Sequence, residues 1–337
     1  MTAREAMAAN LTPQFLKAQE QYRRASTTED EIHWLEVMLK EIPKHKSSEK
    51  LQAEIKQKLS AARKELEHER RTGGRKGHGV RIPRQGAGTA VLLGAPNVGK
   101  SQLLRSLTRA TPEVADFPFT TRQPQPGMMP WEDVMVQLID TPPITRDYCE
   151  PYMQGLIRAA DVALLFIDLA TDDGLDQCLE VVQRLEQTKT RLAASSYLDE
   201  NDMGLSFTQT LLVANKIDVP DALQRWSLFQ ELGVPPFRPY LVSALHGTGL
   251  EDLRRAIYEA LDVVRVYSKL PAAKHPDMDR PFTLRRGQTV LDLAEQIHKD
   301  FVDHLKFARV WGKNVHDGTI VKGDYVPEDR DIVELHV

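Results

Sequence analysis

Cysteine is scarce in this chain, with only Cys149 and Cys178 among 337 residues. Their separation matches no metal-ligand spacing, and two thiols make no disulfide framework, which fits a reducing compartment. Long apolar runs are missing as well. No stretch approaches the roughly 20 consecutive apolar residues of a membrane-spanning helix, so no membrane partner is expected. The opening residues MTAREAMAANLTPQF lack the apolar core of a signal peptide, and a cytoplasmic location is the expectation. Charge of one sign is lacking too. A net charge of −4 says nothing about nucleic acid, so local clusters must decide that question. Hydrophobic residues make up 41% of the chain, enough for a sizeable core, and the length suggests two or three domains.

What is present divides into three parts. Residues 1–86 are helix-rich and charged, then basic. Thr28-x-x-Glu31 reads as a capping box ahead of Ile32, Leu35, Met38 and Leu39. Leu51, Ile55, Leu59, Ala62 and Leu66 repeat on one helical face. The pair reads as a helical hairpin, a solvated arm with a narrow apolar stripe. A glycine-rich linker follows, carrying Arg70, Arg71, Arg75, Lys76, Arg81 and Arg84 with no acidic residue after Glu69. Such a segment can neutralise phosphates and contact RNA, or serve only as a solvated spacer. Residues 87–262 alternate short apolar runs with helical stretches. Strands are expected at 89–93, 134–140, 162–168, 211–215 and 240–242. Runs that are apolar on both faces indicate a doubly wound, mostly parallel α/β sheet. Residues 263–337 read as a small mixed sheet with one helix, which Thr289 caps.

The strongest signal is GAPNVGKS, residues 94–101, which fits the phosphate-binding pattern G-x-x-x-x-G-K-[ST]. It follows an apolar run and precedes a helical one, the strand–loop–helix context that the pattern requires. Gly94, Ala95, Pro96, Asn97, Val98 and Gly99 would curl backbone N–H groups around a phosphate, and Gln102 continues into the helix. Lys100 would place its charge on the β- and γ-phosphates, and Ser101 its hydroxyl on Mg²⁺. Asp140 ends a strand, where a carboxylate holds Mg²⁺ through water. Phe119, Thr120 and Thr121 lie between loop and carboxylate. A threonine there can close on the γ-phosphate and Mg²⁺, whereas the bland reading is a surface turn.

Asn215-Lys216-Ile217-Asp218 follows another apolar run. The Asp218 carboxylate can accept from N1–H and the 2-amino group of guanine. Adenine offers neither donor there, so ATP would leave the carboxylate unpaired at a cost of a few kcal/mol. Asn215 and the stem of Lys216 would brace the base, with Ser243, Ala244 and Leu245 as its backing loop.

Together these motifs resemble the Obg and DRG (developmentally regulated GTP-binding) group of P-loop GTPases. DFPFTT with its following Gln-Pro-Gly resembles that group's first switch and makes Thr121 the metal-binding threonine. VRVYSK, residues 297–301 and residues 308–312 resemble a TGS domain, a β-grasp module. The resemblance implies GTP or GDP with Mg²⁺ as ligands, slow hydrolysis, and work on ribosomes or RNA, with a protein partner also open. The Gly-rich N-terminal domain of Obg proper is absent. The subdomain that DRG proteins insert between their third and fourth motifs is also missing. Pro143 occupies the place of the DxxG glycine and has no N–H for the γ-phosphate. The N–H of Ile144 is the nearest substitute. Ile144 also stands where many GTPases carry the glutamine that orients water. In some relatives K⁺ supplies the missing charge beside an asparagine matched here by Asn97. The alternative is a GTP/GDP-binding switch or adaptor with negligible hydrolysis, and a further one is an ATPase.

Overall fold

A computed structural model describes residues 11–43, 48–71, 82–108, 123–199, 202, 204–271 and 273–337, and the side chains of 69 and 70 are left aside. Phe119, Thr120 and Thr121 therefore lie outside the described residues, as do Arg75, Lys76 and Arg81 of the linker.

Among its described residues the N-terminal part holds three helices, α1 (Pro13–Arg23), α2 (Thr28–Glu41) and α3 (Glu49–Arg71). The sequence reading expects two. It misses α1 because Thr12 caps it directly before Pro13 at its first position, a start signal with few periodic residues behind it. The α2 cap also differs from expectation by one residue. Thr27 is the N-cap, and its side chain accepts from the Asp30 N–H. Nor is this part a solvated arm. Phe15, Leu35, Met38 and Ile55 are almost wholly buried in a core of their own.

The central part is an eight-stranded sheet. Its strands are β1 (Thr89–Leu93), β2 (Gln125–Trp131), β3 (Val134–Asp140), β4 (Val162–Asp168), β5 (Thr190–Ala193), β6 (Tyr197–Leu198), β7 (Ser206–Asn215) and β8 (Pro239–Val242). The main order is β2-β3-β1-β4-β7-β5, with β6 and β8 also on β7. β2 on β3 and β6 on β7 are antiparallel, and the other pairs are parallel. Helices cover both faces: α4 (Lys100–Leu107), α5 (Met153–Ala159), α6 (Gly174–Glu186), α7 (Ala222–Leu232) and α8 (Leu250–Ala260). Alternate residues of one strand serve opposite cores. Leu92 packs with Leu103, Leu104 and Ile257, while Val91 and Leu93 pack with Ile157, Val181 and Phe229.

The C-terminal part is a five-stranded sheet, β10-β9-β13-β11-β12. It comprises β9 (Val263–Ser268), β10 (Phe282–Arg285), α9 (Val290–Ile297), α10 (Lys299–His304), β11 (Phe307–Gly312), β12 (Val315–Val321) and β13 (Asp331–His336). Thr289 caps α9 as expected, in a reciprocal capping box with Asp292. His298 accepts from the Asp300 N–H as the cap of α10.

Charges bind the three parts together. The buried Asp161 carboxylate, just before β4, accepts from Arg24 (2.8 Å), Arg84 (2.6 Å) and Arg285 (2.6 Å), and from the Thr89 N–H. Those arginines come from the helical part, the linker and the C-terminal sheet. Arg158 of α5 donates to the carbonyls of Arg23 and Tyr22 and to Glu31. Among the described residues no helix is long and apolar enough to cross a membrane.

Candidate nucleotide-binding site

The carboxyl ends of β1, β3, β4 and β7 meet at one rim. Parallel pairing sets Leu92 opposite Asp140 and Asp168 opposite Asn215. The loop 94–99 rises from β1 and enters α4. Two of its residues, Asn97 (φ 62°) and Gly99 (φ 94°), are left-handed. At Gly99 a Cβ would also lie 2.2 Å from Asn215 Nδ2, so only glycine lets the loop approach that side chain. Asn97 is exposed.

Lys100 is buried at the start of α4, and its Nζ donates to the carbonyls of Gly94 (2.9 Å) and Ala95 (2.8 Å). Burial pushes its pKa down to about 8, opposed by the nearby Asp140 charge. Burial also pushes the Asp140 carboxyl up, opposed by a hydrogen bond from Ser101 and the Lys100 charge. Ser101 Oγ donates to Asp140 Oδ2 at 2.5 Å, while Asp140 Oδ1 is buried without a hydrogen-bond partner. A carboxylate oxygen left over beside a hydroxyl fits a hard cation that brings its own water, as Mg²⁺ does.

Asn215 stitches three loops. Its Nδ2 donates to the Val98 carbonyl (2.8 Å) in the phosphate loop, and its Oδ1 accepts the Ala244 N–H (3.0 Å). Lys216 is left-handed (φ 69°), and its Nζ reaches Asp168 Oδ2 at 2.6 Å. The Ile217 N–H donates to the Val242 carbonyl. Asp218 has a partly exposed carboxylate, with His246 Nε2 3.7 Å from its Oδ2. Ser243 is fully buried and accepts the His246 N–H, so its hydroxyl ties its own turn. Leu245 is exposed. Gln102 Nε2 lies 3.5 Å from the Ala244 carbonyl.

Two further residues escaped the sequence reading. Asp168 anchors Lys216, and its place at the end of β4 is the same signal that pointed to Asp140. Ser106 donates to the Ala244 carbonyl at 2.5 Å, fastening the phosphate-loop helix to the backing loop. Nothing in its local pattern marks it.

Past Asp140, Thr141 donates to the Leu92 carbonyl. The Ile144 N–H donates to the Gly94 carbonyl at 3.2 Å, and the Ile144 side chain is fully buried with Met153 and Ile157. The substitute donor for Pro143 is thus engaged with the phosphate loop. The Ile144 side chain serves the core.

Residues 89–203 match the family model described as 50S ribosome-binding GTPase, and residues 264–337 match that of the TGS domain. A GTP-binding protein of Methanocaldococcus jannaschii is 32% identical over 91% of this chain and 92% of its own length. Developmentally-regulated G-protein 1 of Arabidopsis thaliana is 25% identical, over 91% of this chain and 90% of its own. Ribosome-interacting GTPase 1 of Saccharomyces cerevisiae is 27% identical, over 92% and 99%. The archaeal alignment runs over 363 positions, more than this whole chain, so the relative has residues that this chain lacks.

Proposed function

The chain belongs to the developmentally regulated GTP-binding protein family, P-loop GTPases with a TGS domain, and from that membership we propose that it is a slow GTPase acting on ribosomes or RNA in the cytoplasm. The observation that carries the nucleotide reading is Asn215, which holds the phosphate loop and the base-backing loop at one rim. Asp218 accepts from guanine there and rejects adenine. Lys100 turns from its two carbonyls to the β- and γ-phosphates, where loop N–H groups add to its charge. Ser101 and Thr121 would hold Mg²⁺ directly and Asp140 through water, and Mg²⁺ supplies charge to the phosphate oxygens. Water attacks the γ-phosphate in line with the leaving oxygen.

Slow turnover follows from two residues. The buried Ile144 side chain orients no water, and Pro143 offers no N–H. The compensation we propose is K⁺ held beside Asn97, adding charge in the transition state. The ribosome is the partner named for the yeast relative, and the basic linker with the TGS domain is the surface we assign to ribosome, RNA or a bound protein partner. The domain limits proposed are 1–86, 87–262 and 263–337.

The test is hydrolysis by purified protein in matched K⁺ and Na⁺ buffers with Mg²⁺, with ATP in parallel. GTP turnover that rises in K⁺, with ATP untouched, is expected. Tight GTP binding with no turnover in either salt would replace the slow enzyme by a switch or adaptor. An Asn97→Ala variant that keeps full K⁺ stimulation would remove K⁺ from the account.

A further inference from the structure

The β2–β3 hairpin joins the two segments that the nucleotide reading makes switches. β2 begins at Gln125, shortly after Thr121, and β3 ends at Asp140. Seven successive pairs, from Gln125 with Asp140 to Trp131 with Val134, run without a register shift. At about 3.3 Å per residue the hairpin spans roughly 20 Å, so its base and its tip move as one ribbon. It also rests on the phosphate-loop helix, since a Cβ on Gly127 would lie 2.8 Å from Leu104.

The tip is gripped by the TGS domain. Arg265, 5% exposed, donates one Nη1 to both Glu132 and Asp133 and forks Nε and Nη2 onto Asp329 of its own domain. The Tyr267 hydroxyl donates to Asp133, and Arg330 to Glu132 at 2.9 Å. Tyr258 of α8 lies under the Arg265 guanidinium and stacks on Trp131 at the tip. Glu132 adopts φ 47°, a conformation that glycine takes without strain. A glutamate there gives up that ease and supplies the carboxylate that two arginines use. Asp329 holds the guanidinium ready, and a buried guanidinium tolerates poorly the loss of two of its three carboxylates. The contact is therefore either made or broken, as a two-state element requires.

We propose that this clamp makes the TGS domain a reader of nucleotide state, a coupling that rests on the GTPase reading above. The clamped arrangement is also the one in which the Ile144 N–H, four residues beyond β3, bonds the Gly94 carbonyl. Contact between that N–H and a γ-phosphate requires the bond to break. The clamp thus favours GDP, and GTP loosens the TGS domain. Linkage makes the effect reciprocal: releasing the clamp must favour GTP by the same factor.

The experiment uses the full chain with fluorescent GDP and a non-hydrolysable GTP analogue. Glu132→Gly with Asp133→Asn opens the clamp from the hairpin side while keeping a turn that suits the backbone. Arg330→Ala, on the exposed TGS side, removes one hydrogen bond to the hairpin together with a looser pairing to Asp329. The ratio of Kd for the analogue to Kd for GDP is expected to fall about fivefold in the double variant, and less in Arg330→Ala. Hydrogen exchange of residues 263–268 in the unaltered protein is expected to be faster with the analogue than with GDP. A Kd ratio that stays within about twofold of the unaltered protein in both variants overturns the coupling. Failure of both nucleotides to bind the unaltered protein would instead overturn the GTPase reading itself.

Discussion

Replacing Asn215 by alanine should dismantle the candidate site while leaving Lys100, Ser101, Asp140 and Asp218 in place. Asn215 is 1% exposed and makes two hydrogen bonds to backbone groups of two other loops. Its removal leaves the Val98 carbonyl and the Ala244 N–H without partners. An orphaned buried group costs about 1–3 kcal/mol, so the two together cost about 2–6 kcal/mol. The lower end applies here, because the loops border solvent at Asn97 and Leu245 and water can enter. Part of that loss falls on stability. At most about 2 kcal/mol falls on binding, a rise in Kd for GDP of up to roughly 30-fold. Isothermal titration with GDP measures it. Asn215→Asp serves as the companion variant. It keeps an acceptor for Ala244 N–H but sets a carboxylate against the Val98 carbonyl, so it should lose at least as much. If both variants bind GDP within about threefold of the unaltered protein, Asn215 does not hold the two loops in their binding arrangement.

Two other outcomes are expected. Burial lowers the Lys100 pKa to about 8, so from there up to its ordinary value near 10.4 the unfolded chain binds more protons than the folded one. Stability rises with pH across that window as the burial penalty is relieved, while GDP affinity falls because the phosphates lose their cation; GDP titrations from about pH 7 to 9 should show this slope, and Lys100→Met should abolish it. Asp161→Asn leaves Arg24, Arg84 and Arg285 facing a neutral amide. Losing one partner of a buried pair costs about 3–5 kcal/mol, discounted to about 2–3 because Arg84 and Arg285 reach solvent. Thermal melting should drop by roughly 5 °C, with faster proteolysis between the three parts, and an unchanged melt would show that Asp161 does not join them.

Much of the candidate nucleotide site was legible because the pattern that marks it is local. A phosphate loop needs its glycines, lysine and hydroxyl within eight residues, and the strand before it is apolar on both faces. The same holds for Asn215 to Asp218 after the buried end of β7. β2 escaped because Gln125–Trp131 contains Pro126, Gly127 and Pro130, which argue against a strand. It forms because it is the sheet's edge, where a missing N–H leaves no ladder bond unmade. The helical part read as an arm because its stripe is narrow. Burial of Phe15, Leu35 and Ile55 needed a third helix that the pattern barely announces.

By itself, then, the chain's sequence determined the phosphate-loop and guanine-motif patterns, the alternation of apolar strands and helices, and the cap at Thr289, because each depends on neighbours a few residues away. Only tertiary structure decided which charges meet. Asp161 collects guanidiniums 137, 77 and 124 positions distant, and Arg265 meets carboxylates 132 and 133 positions away as well as Asp329, 64 positions on. A charged residue carries no local mark of its partner, since in water any opposite charge would serve. The packing of four cores is what brings these few together and excludes the water that would otherwise screen them.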